Sequence, residues 1–192
     1  MSENFEDKDQ LRIQFQERFN EFFPDAKIEP SDFENISQTA RDHFIEIVKN
    51  RESGETYQPE ELNEAYKIIH TDEDETYVTR IKSEESEKVY LVNIRGEEST
   101  GAGGFSYSPI SEKAVDAGVE TRKKFQRQQL AVKSLEIMNA LAQMFYKVPL
   151  HSNMARTVQG KGVWEKLVML GKVTKFQEGH YDQYVFKDKQ SE

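Results

Sequence analysis

The spacing of apolar residues along this chain changes character near residue 76. Before it, Leu11, Phe15, Phe19 and Phe22 recur at helical intervals with Phe23 beside them, and Pro24 is expected to end that helix. At "SDFE", Ser31 and Glu34 have the spacing of a capping box. The helix it opens carries Phe33, Ile36, Ala40, Phe44, Ile47 and Val48 on one side. A third helix is expected from Pro59, with Leu62, Ala65, Tyr66 and Ile69 on its apolar face. These stripes read as packing surface. Residues 1–8 read as a disordered start, and "DEDE" at 72–75 as a solvated turn.

After residue 76 the pattern suits strands. "TYVTRIK" and "KVYLVNI" are rich in β-branched and aromatic residues, and the polar "SEESE" between them predicts an antiparallel hairpin. "RGEESTGAGG" follows and reads as a flexible connection, because it lacks the spacing of a phosphate loop. In "AVDAGVE", Val115, Ala117 and Val119 alternate with Asp116, Gly118 and Glu120. Gly118 inside a strand marks a bulge or a close approach. A long helix follows, with Ala131, Leu135, Met138, Ala142 and Phe145 as its stripe, widened by Leu130, Ile137, Leu141 and Met144. "VPLHS" predicts a short strand, and "GKGVWEKLVML" a helix with Val163, Trp164, Leu167, Val168 and Leu170 largely inward. "KVTKF" and "YDQYVF" close the chain as strands. Interspersed strands and helices argue for a mixed α/β or α+β domain with a helical N-terminal part.

Charge divides the chain unevenly. Residues 1–100 hold 12 Lys/Arg against 26 Asp/Glu, a net of −14, and residues 101–192 hold 14 against 9, a net of +5. An acidic extension on a mildly basic domain accounts for this, as does a cationic ligand site in the second half. The acidic half argues against nucleic-acid binding by the whole chain; a nucleic-acid-associated protein using only the basic half would bind in a strongly salt-dependent way. With no Cys there is no disulfide framework or thiolate chemistry, which fits an intracellular, cytoplasmic setting. No apolar run is long enough to span a membrane, and the acidic start has no secretion-signal pattern.

The densest cations, Arg122, Lys123, Lys124 and Arg127, crowd the start of the long helix, where the backbone dipole prefers acids. A strand entering a cationic turn that opens a helix can hold phosphate on free backbone amides. A basic surface turn in water is the plainer reading. His43, His70, His151 and His180 lack metal-binding spacing, and Ser106, Ser108 and Ser152 lack a nucleophile-elbow setting.

The stretch "GVETRKKFQRQQLAVKSLEIM" resembles motif A of the GNAT acetyltransferase superfamily. That motif has Gln or Arg, two variable residues, Gly, one variable residue, then Gly or Ala at a strand-to-helix turn. Gln126, Gln129 and Ala131 take the first, fourth and sixth positions. "VPLHSN" looks like the family's fifth strand, which splays from the fourth, "GKGVWEKLVMLGKV" like its last helix, and "YDQYVF" like its closing strand. The resemblance covers about residues 76–188 and implies a mainly antiparallel, mixed sheet flanked by helices. Residues 9–70 would form a helical extension packing on this core.

The resemblance implies an acyl-coenzyme A-dependent N-acyltransferase, with acetyl-CoA as cofactor and an unidentified amine as acceptor. The cofactor would lie on Ala117, Gly118, Val119, Arg122, Gln126, Arg127, Gln128, Gln129, Leu130 and Ala131. Its pyrophosphate would meet the turn, and its pantetheine arm a bulge at 117–119. Glu120 and Asp116 are the candidate bases. Tyr181 is the candidate proton donor, with Tyr146 and Tyr184 as alternatives. The chain departs from the family at Gln129, where Gly is preferred, and at Trp164, near which many members place an acidic Tyr. These departures leave a second reading open: an inactive GNAT-like module acting through a protein partner, with the acidic helices as its surface.

Overall fold

The computed structural model describes residues 13, 16–31, 36–51, 64–70, 74–82, 86–126, 129–152 and 158–187. The disordered start expected at residues 1–8 lies outside them. Helical residues 16–20 precede β1 (Lys27–Ser31), α1 (Gln38–Arg51), β2 (Glu64–Ile69), β3 (Asp74–Lys82), β4 (Glu87–Arg95), β5 (Glu98–Ser108) and β6 (Lys113–Thr121). A 3₁₀ turn at Lys123–Phe125 leads to α2 (Leu130–Tyr146), β7 (Leu150–Ser152), α3 (Val158–Met169), β8 (Val173–Glu178) and β9 (Tyr181–Phe186). The strands form one nine-stranded sheet in the order β1-β2-β3-β4-β5-β6-β7-β9-β8. Every neighbouring pair is antiparallel except β6 and β7, which are parallel. The fold is therefore mixed α+β, as the alternation of patterns suggested.

Both faces of the sheet are covered, and β4 shows why its sequence is almost continuously apolar. Val89 and Leu91 join the core beneath α2, with Leu135, Met138 and Leu141, while Tyr90, Val92 and Ile94 join the core beneath α1, with Ala40 and Phe44. Phe19 and Ile28 belong to the α2 side, as do Trp164 and Leu167 of α3. Leu170 does not point inward as expected: it lies past the end of α3 and is 52% exposed.

The N-terminal region is not simply helical. Ala65, Tyr66 and Ile69, expected on a helix from Pro59, belong to β2, where Ala65 faces the α1 core and Ile68 the opposite one. So short an apolar run fits either period, and pairing along β1 and β3 decides it. Pro59 and Leu62 lie outside the described residues. β1 was not foreseen; its Pro30 sits on an edge strand, where a missing N–H is tolerated. Ser31 ends β1, and the rest of the expected capping box, with Glu34, lies outside the described residues. The cap of α1 is Ser37, whose Oγ accepts the Ala40 N–H at 3.2 Å. Leu11, Phe15, Phe33 and the side chains of Ile47 and Val48 are likewise outside. In the acidic run at 72–75, Asp74 and Glu75 open β3 and are ion-paired, with Arg95 at 2.7 Å and Lys67 at 2.6 Å.

The β3–β4 hairpin forms as expected, but the glycine-rich stretch after it is not a loose connection. Gly96, with φ +58°, makes the tight turn with Glu97, and residues 98–104 run straight into β5. A side chain is excluded at Gly103: a Cβ there would stand 2.5 Å from Met138 Cε and 2.7 Å from the Gly118 carbonyl oxygen. The glycines let α2 and β6 close on β5. Gly103→Ala is expected to lower unfolding free energy by about 1–3 kcal/mol through overpacking. Gly162→Ala, in α3 with nothing within 4 Å of its Cβ, is expected to raise it by about 0.5–1 kcal/mol. Thermal melts of the pair check the contrast, and equal shifts would contradict it.

Candidate functional site

The strand β6 departs from simple alternation. Asp116 has φ +59°, a left-handed conformation, and the register of β6 against both β5 and β7 shifts around it. Ala114 and Ala117, three residues apart, are consequently both buried in the α2-side core. The bulge is therefore centred on Asp116 and not on 117–119 as expected. Gly118 pairs normally with Gly104, and a Cβ on it would meet nothing nearer than the Asp116 carbonyl oxygen at 3.9 Å.

Among the described residues, pairing between β6 and β7 covers Ala114 with Leu150 and Ala117 with Ser152. β6 runs on to Thr121. Gly118, Val119, Glu120 and Thr121 thus have no strand partner on that edge among the described residues, which leave out residues 153–157 after β7.

At the end of this edge the chain turns. The Arg122 N–H donates to the Thr100 carbonyl at 2.9 Å, and buried Phe125 anchors the 3₁₀ turn. Gln129, at φ +61°, is the N-cap of α2, a strained position for a residue with a side chain, at a cost of about 1–2 kcal/mol. The Gln129 side chain makes no cap bond, and no acid stands in the first turn of the helix. Its first backbone bond runs from the Lys133 N–H to the Gln129 carbonyl at 3.1 Å. The N–H groups of Leu130, Ala131 and Val132 are left without an intrahelical acceptor, which is the arrangement that receives anions.

The cations are less crowded on the helix than the sequence suggested. Lys123 and Lys124 belong to the 3₁₀ turn ahead of it, and Lys124 pairs with Glu98 at 2.6 Å while lying 5.3 Å from the centre of the Phe125 ring. Arg127 and Gln128 lie outside the described residues.

The candidate acid–base groups are spread along the same end of the sheet. Glu120 and Asp116 are both exposed on β6. Tyr181 is 58% exposed where β9 begins. Because His151 of β7 pairs with Val185, the Tyr181 end of β9 lies beyond Ser152, at the Thr121 end of β6. Two strand spacings, roughly 10 Å, separate it from β6. The other phenols are engaged. Tyr184 donates to Glu165 at 2.6 Å, and burial followed by this bond pushes it up to about 12. Tyr146 donates to Glu87 at 2.8 Å, stacks on Tyr107 at 4.0 Å, and is pushed far up by burial first and Glu87 second. Trp164 is buried against Tyr184 and Phe186.

Three polar constellations near this end were not anticipated. His43 of α1 lies 2.7 Å from Ser99 Oγ; burial lowers its pKa, Arg122 lowers it further, and Glu46 and Glu120 oppose the shift. Ser152 donates to Gln183 Oε1 and accepts the Tyr184 N–H, both at 3.1 Å. The third is a chain of side chains across the α2 side. Asn93 Nδ2 donates to Ser134 Oγ at 2.8 Å, and Ser134 Oγ to the Leu130 carbonyl at 2.8 Å. Thr76 Oγ1 donates to Asn93 Oδ1 at 2.8 Å, so its contact with His70 Nε2 at 3.0 Å requires the proton on that nitrogen. The chain ties the first turn of α2 to β3, β4 and His70, the residue after β2. Its signal in the sequence was Asn93 at an inward position of an otherwise apolar strand.

Among the described residues no group of three or more His, Asp or Glu is placed to hold a metal ion, and no helix is long and apolar enough to cross a membrane. Comparison with protein-family models finds no match, and neither does comparison with curated proteins.

Proposed function

We propose that this protein is a GNAT-like, acyl-coenzyme A-dependent N-acyltransferase, most simply an acetyltransferase acting on an amine. The observation that carries the reading is the junction of β6 with the parallel strand β7: the pair joins at Ala114 with Leu150 and at Ala117 with Ser152, and β6 runs on to Thr121 and the turn that opens α2, whose N-cap Gln129 makes no side-chain cap bond. The cofactor's phosphates would take the amides of Leu130, Ala131 and Val132, with Gln126 and Arg122 beside them. Its pantetheine arm would lie along Gly118–Thr121 as a short length of added strand.

In this reaction the amine lone pair attacks the thioester carbonyl carbon. Collapse of the tetrahedral adduct breaks the carbon–sulfur bond, leaving an amide and a thiolate that takes up a proton. Backbone N–H groups of β6 beyond Ala117 would stabilise the oxyanion. Glu120 or Asp116 would take the amine's proton, and Tyr181 is the phenol free to supply one to the thiolate.

The second reading, an inactive module that works through a protein partner, draws support from the tyrosines. Tyr146 and Tyr184 are both held by carboxylates, and Trp164 serves packing. Calorimetric titration with acetyl-CoA separates the two. Wild type is expected to bind at micromolar level. Gln129→Gly is expected to bind at least as tightly, since Gly adopts the left-handed N-cap without strain. Binding by the Gly variant alone would favour the inactive module. Absence of heat with both folded proteins would overturn the acyltransferase reading.

A further inference from the structure

Every residue from Gly160 to Lys187 is described, and this corner of the molecule ends in a bare strand. β8 closes the sheet. It pairs with β9 on one side and with no strand among the described residues on the other, and five of its six residues are exposed. Hydrogen bonding around β9 fixes which main-chain groups lie on that outer side. The Tyr184 N–H donates to Ser152 Oγ on β7, so Tyr184 turns away from its β8 partner Lys175. Just before β8, the Lys187 N–H donates to the Lys172 carbonyl at 3.0 Å. Bonded and non-bonded pairs alternate along an antiparallel ladder. Val173, Lys175 and Gln177 therefore direct their N–H and C=O groups outward.

Such an edge is a template for another strand, and proteins that keep one single protect it with proline, bulges or charge. At the opposite end of the sheet, β1 carries Pro30, Lys27 and Glu29. β8 has no proline and pairs with β9 without a register shift. Its one lysine is drawn back onto its own chain, by Glu165 at 2.9 Å and Asp182 at 3.1 Å. Within eight residues, Met169, Leu170 and Phe176 add large apolar side chains that are 86%, 52% and 38% exposed.

The strand is complementary to itself. Directly opposite residues share a face, so a two-fold axis between paired edges passes a residue that meets its own copy. With Phe176 on the axis, the two rings meet, Lys175 faces Gln177 and Thr174 faces Glu178. With Lys175 there, two like charges would face each other, which is unfavourable. The ends match in charge as well: antiparallel pairing brings Lys172, just before β8, beside Glu178 at the far end of the other copy.

We propose that β8 is a self-association edge, to which a second copy of this chain adds its own β8, antiparallel about Phe176. The Lys175 and Gln177 N–H groups of each copy donate to the Gln177 and Lys175 carbonyls of the other, and one sheet runs through both. β8 is three strands from β6, and this surface is independent of the acyltransferase reading.

The chain contains no Cys, so a single introduced cysteine reports on its own copy. In Phe176→Cys the two sulfurs face each other across a non-bonded pair, with about 4.5 Å between Cα atoms, within disulfide reach. Thr174→Cys lies on the same face but about 13 Å along the strand from its copy. Under mild oxidation the first is expected to crosslink at least about tenfold faster than the second. Sedimentation velocity over a rising concentration series is expected to show wild type passing from one chain to two. Gln177→Pro removes an outward N–H and no bond to β9. Phe176→Glu sets two carboxylates against each other and serves if the proline variant does not fold. Both are expected to stay single at every concentration, with wild-type circular dichroism. Wild type staying single throughout would overturn the second copy as occupant and leave the edge to a strand of another protein. A dimer kept by a folded variant, or equal crosslinking of the two cysteine variants, would overturn pairing about Phe176.

Discussion

Trp164→Ala is expected to remove about 3–5 kcal/mol from the unfolding free energy, a large share of what a domain of this size holds in reserve. Trp164 is 3% exposed, stacks on Tyr184 at 5.8 Å with the rings 21° apart, and meets Phe186 edge-on at 5.8 Å. It belongs to the same core cluster as Leu167, and its ring contacts join α3 to β9. Truncation leaves a cavity that backbone on two elements cannot close. Trp164→Phe keeps an aromatic face against Tyr184 and is expected to lose far less. Urea denaturation followed by far-ultraviolet circular dichroism measures both. A loss below about 1 kcal/mol for the alanine variant would show that α3 is held by other contacts.

Acid is expected to weaken the fold through His70. Burial, with Lys133 adding to it and Asp74 opposing, lowers His70 from 6.5 to about 4 in the folded protein. The unfolded chain therefore binds a proton near pH 6.5 that the folded chain takes up only near pH 4. Stability is full above pH 6.5 and falls as pH drops from there toward 4, by about 3 kcal/mol in all. Neutral His70 donates through Nε2 to Thr76, at the head of the chain that ends on α2. Asp74, held below its usual range by its hydrogen bond to Arg95, adds a loss at still lower pH, below the unfolded carboxylate range. His70→Gln keeps a donor toward Thr76 and removes the titration. Between pH 7 and 4.5 its urea midpoint should fall much less than that of wild type. Parallel profiles for the two proteins would contradict this assignment.

Much of the C-terminal half was legible because its elements are long or strongly patterned. The hairpin of β3 and β4 and the stripe of α2 follow from period alone. What period cannot see is a backbone that changes hand. Asp116 sits in a left-handed bulge, which moves Ala114 to the same side as Ala117, and no residue type announces it. The glycines of β5 looked like a flexible loop because glycine marks both turns and close packing, and only the approach of α2 and β6 separates the two. β1 and β2 are short, and their apolar residues fit helix and strand alike. The proposed cleft was half visible. Its turn, Arg122 to Ala131, carried a motif. The Ser152–Gln183 pair joins two distant segments, so no local pattern could have linked them.

The parallel junction of β6 and β7 also bears on how the sheet is assembled. Lys82 meets Glu87, Arg95 meets Glu98 and Ser108 meets Lys113, each across a turn of a few residues. Ala114 meets Leu150 only after the whole of α2 has been laid down between them. Closing the longer loop costs more chain entropy and is slower. The meander from β3 to β6 is thus the part the chain completes cheaply, and β7, β8 and β9 are added to a sheet already built. The proposed cofactor site lies along the join between these two stages, where no local turn stitches the strands together.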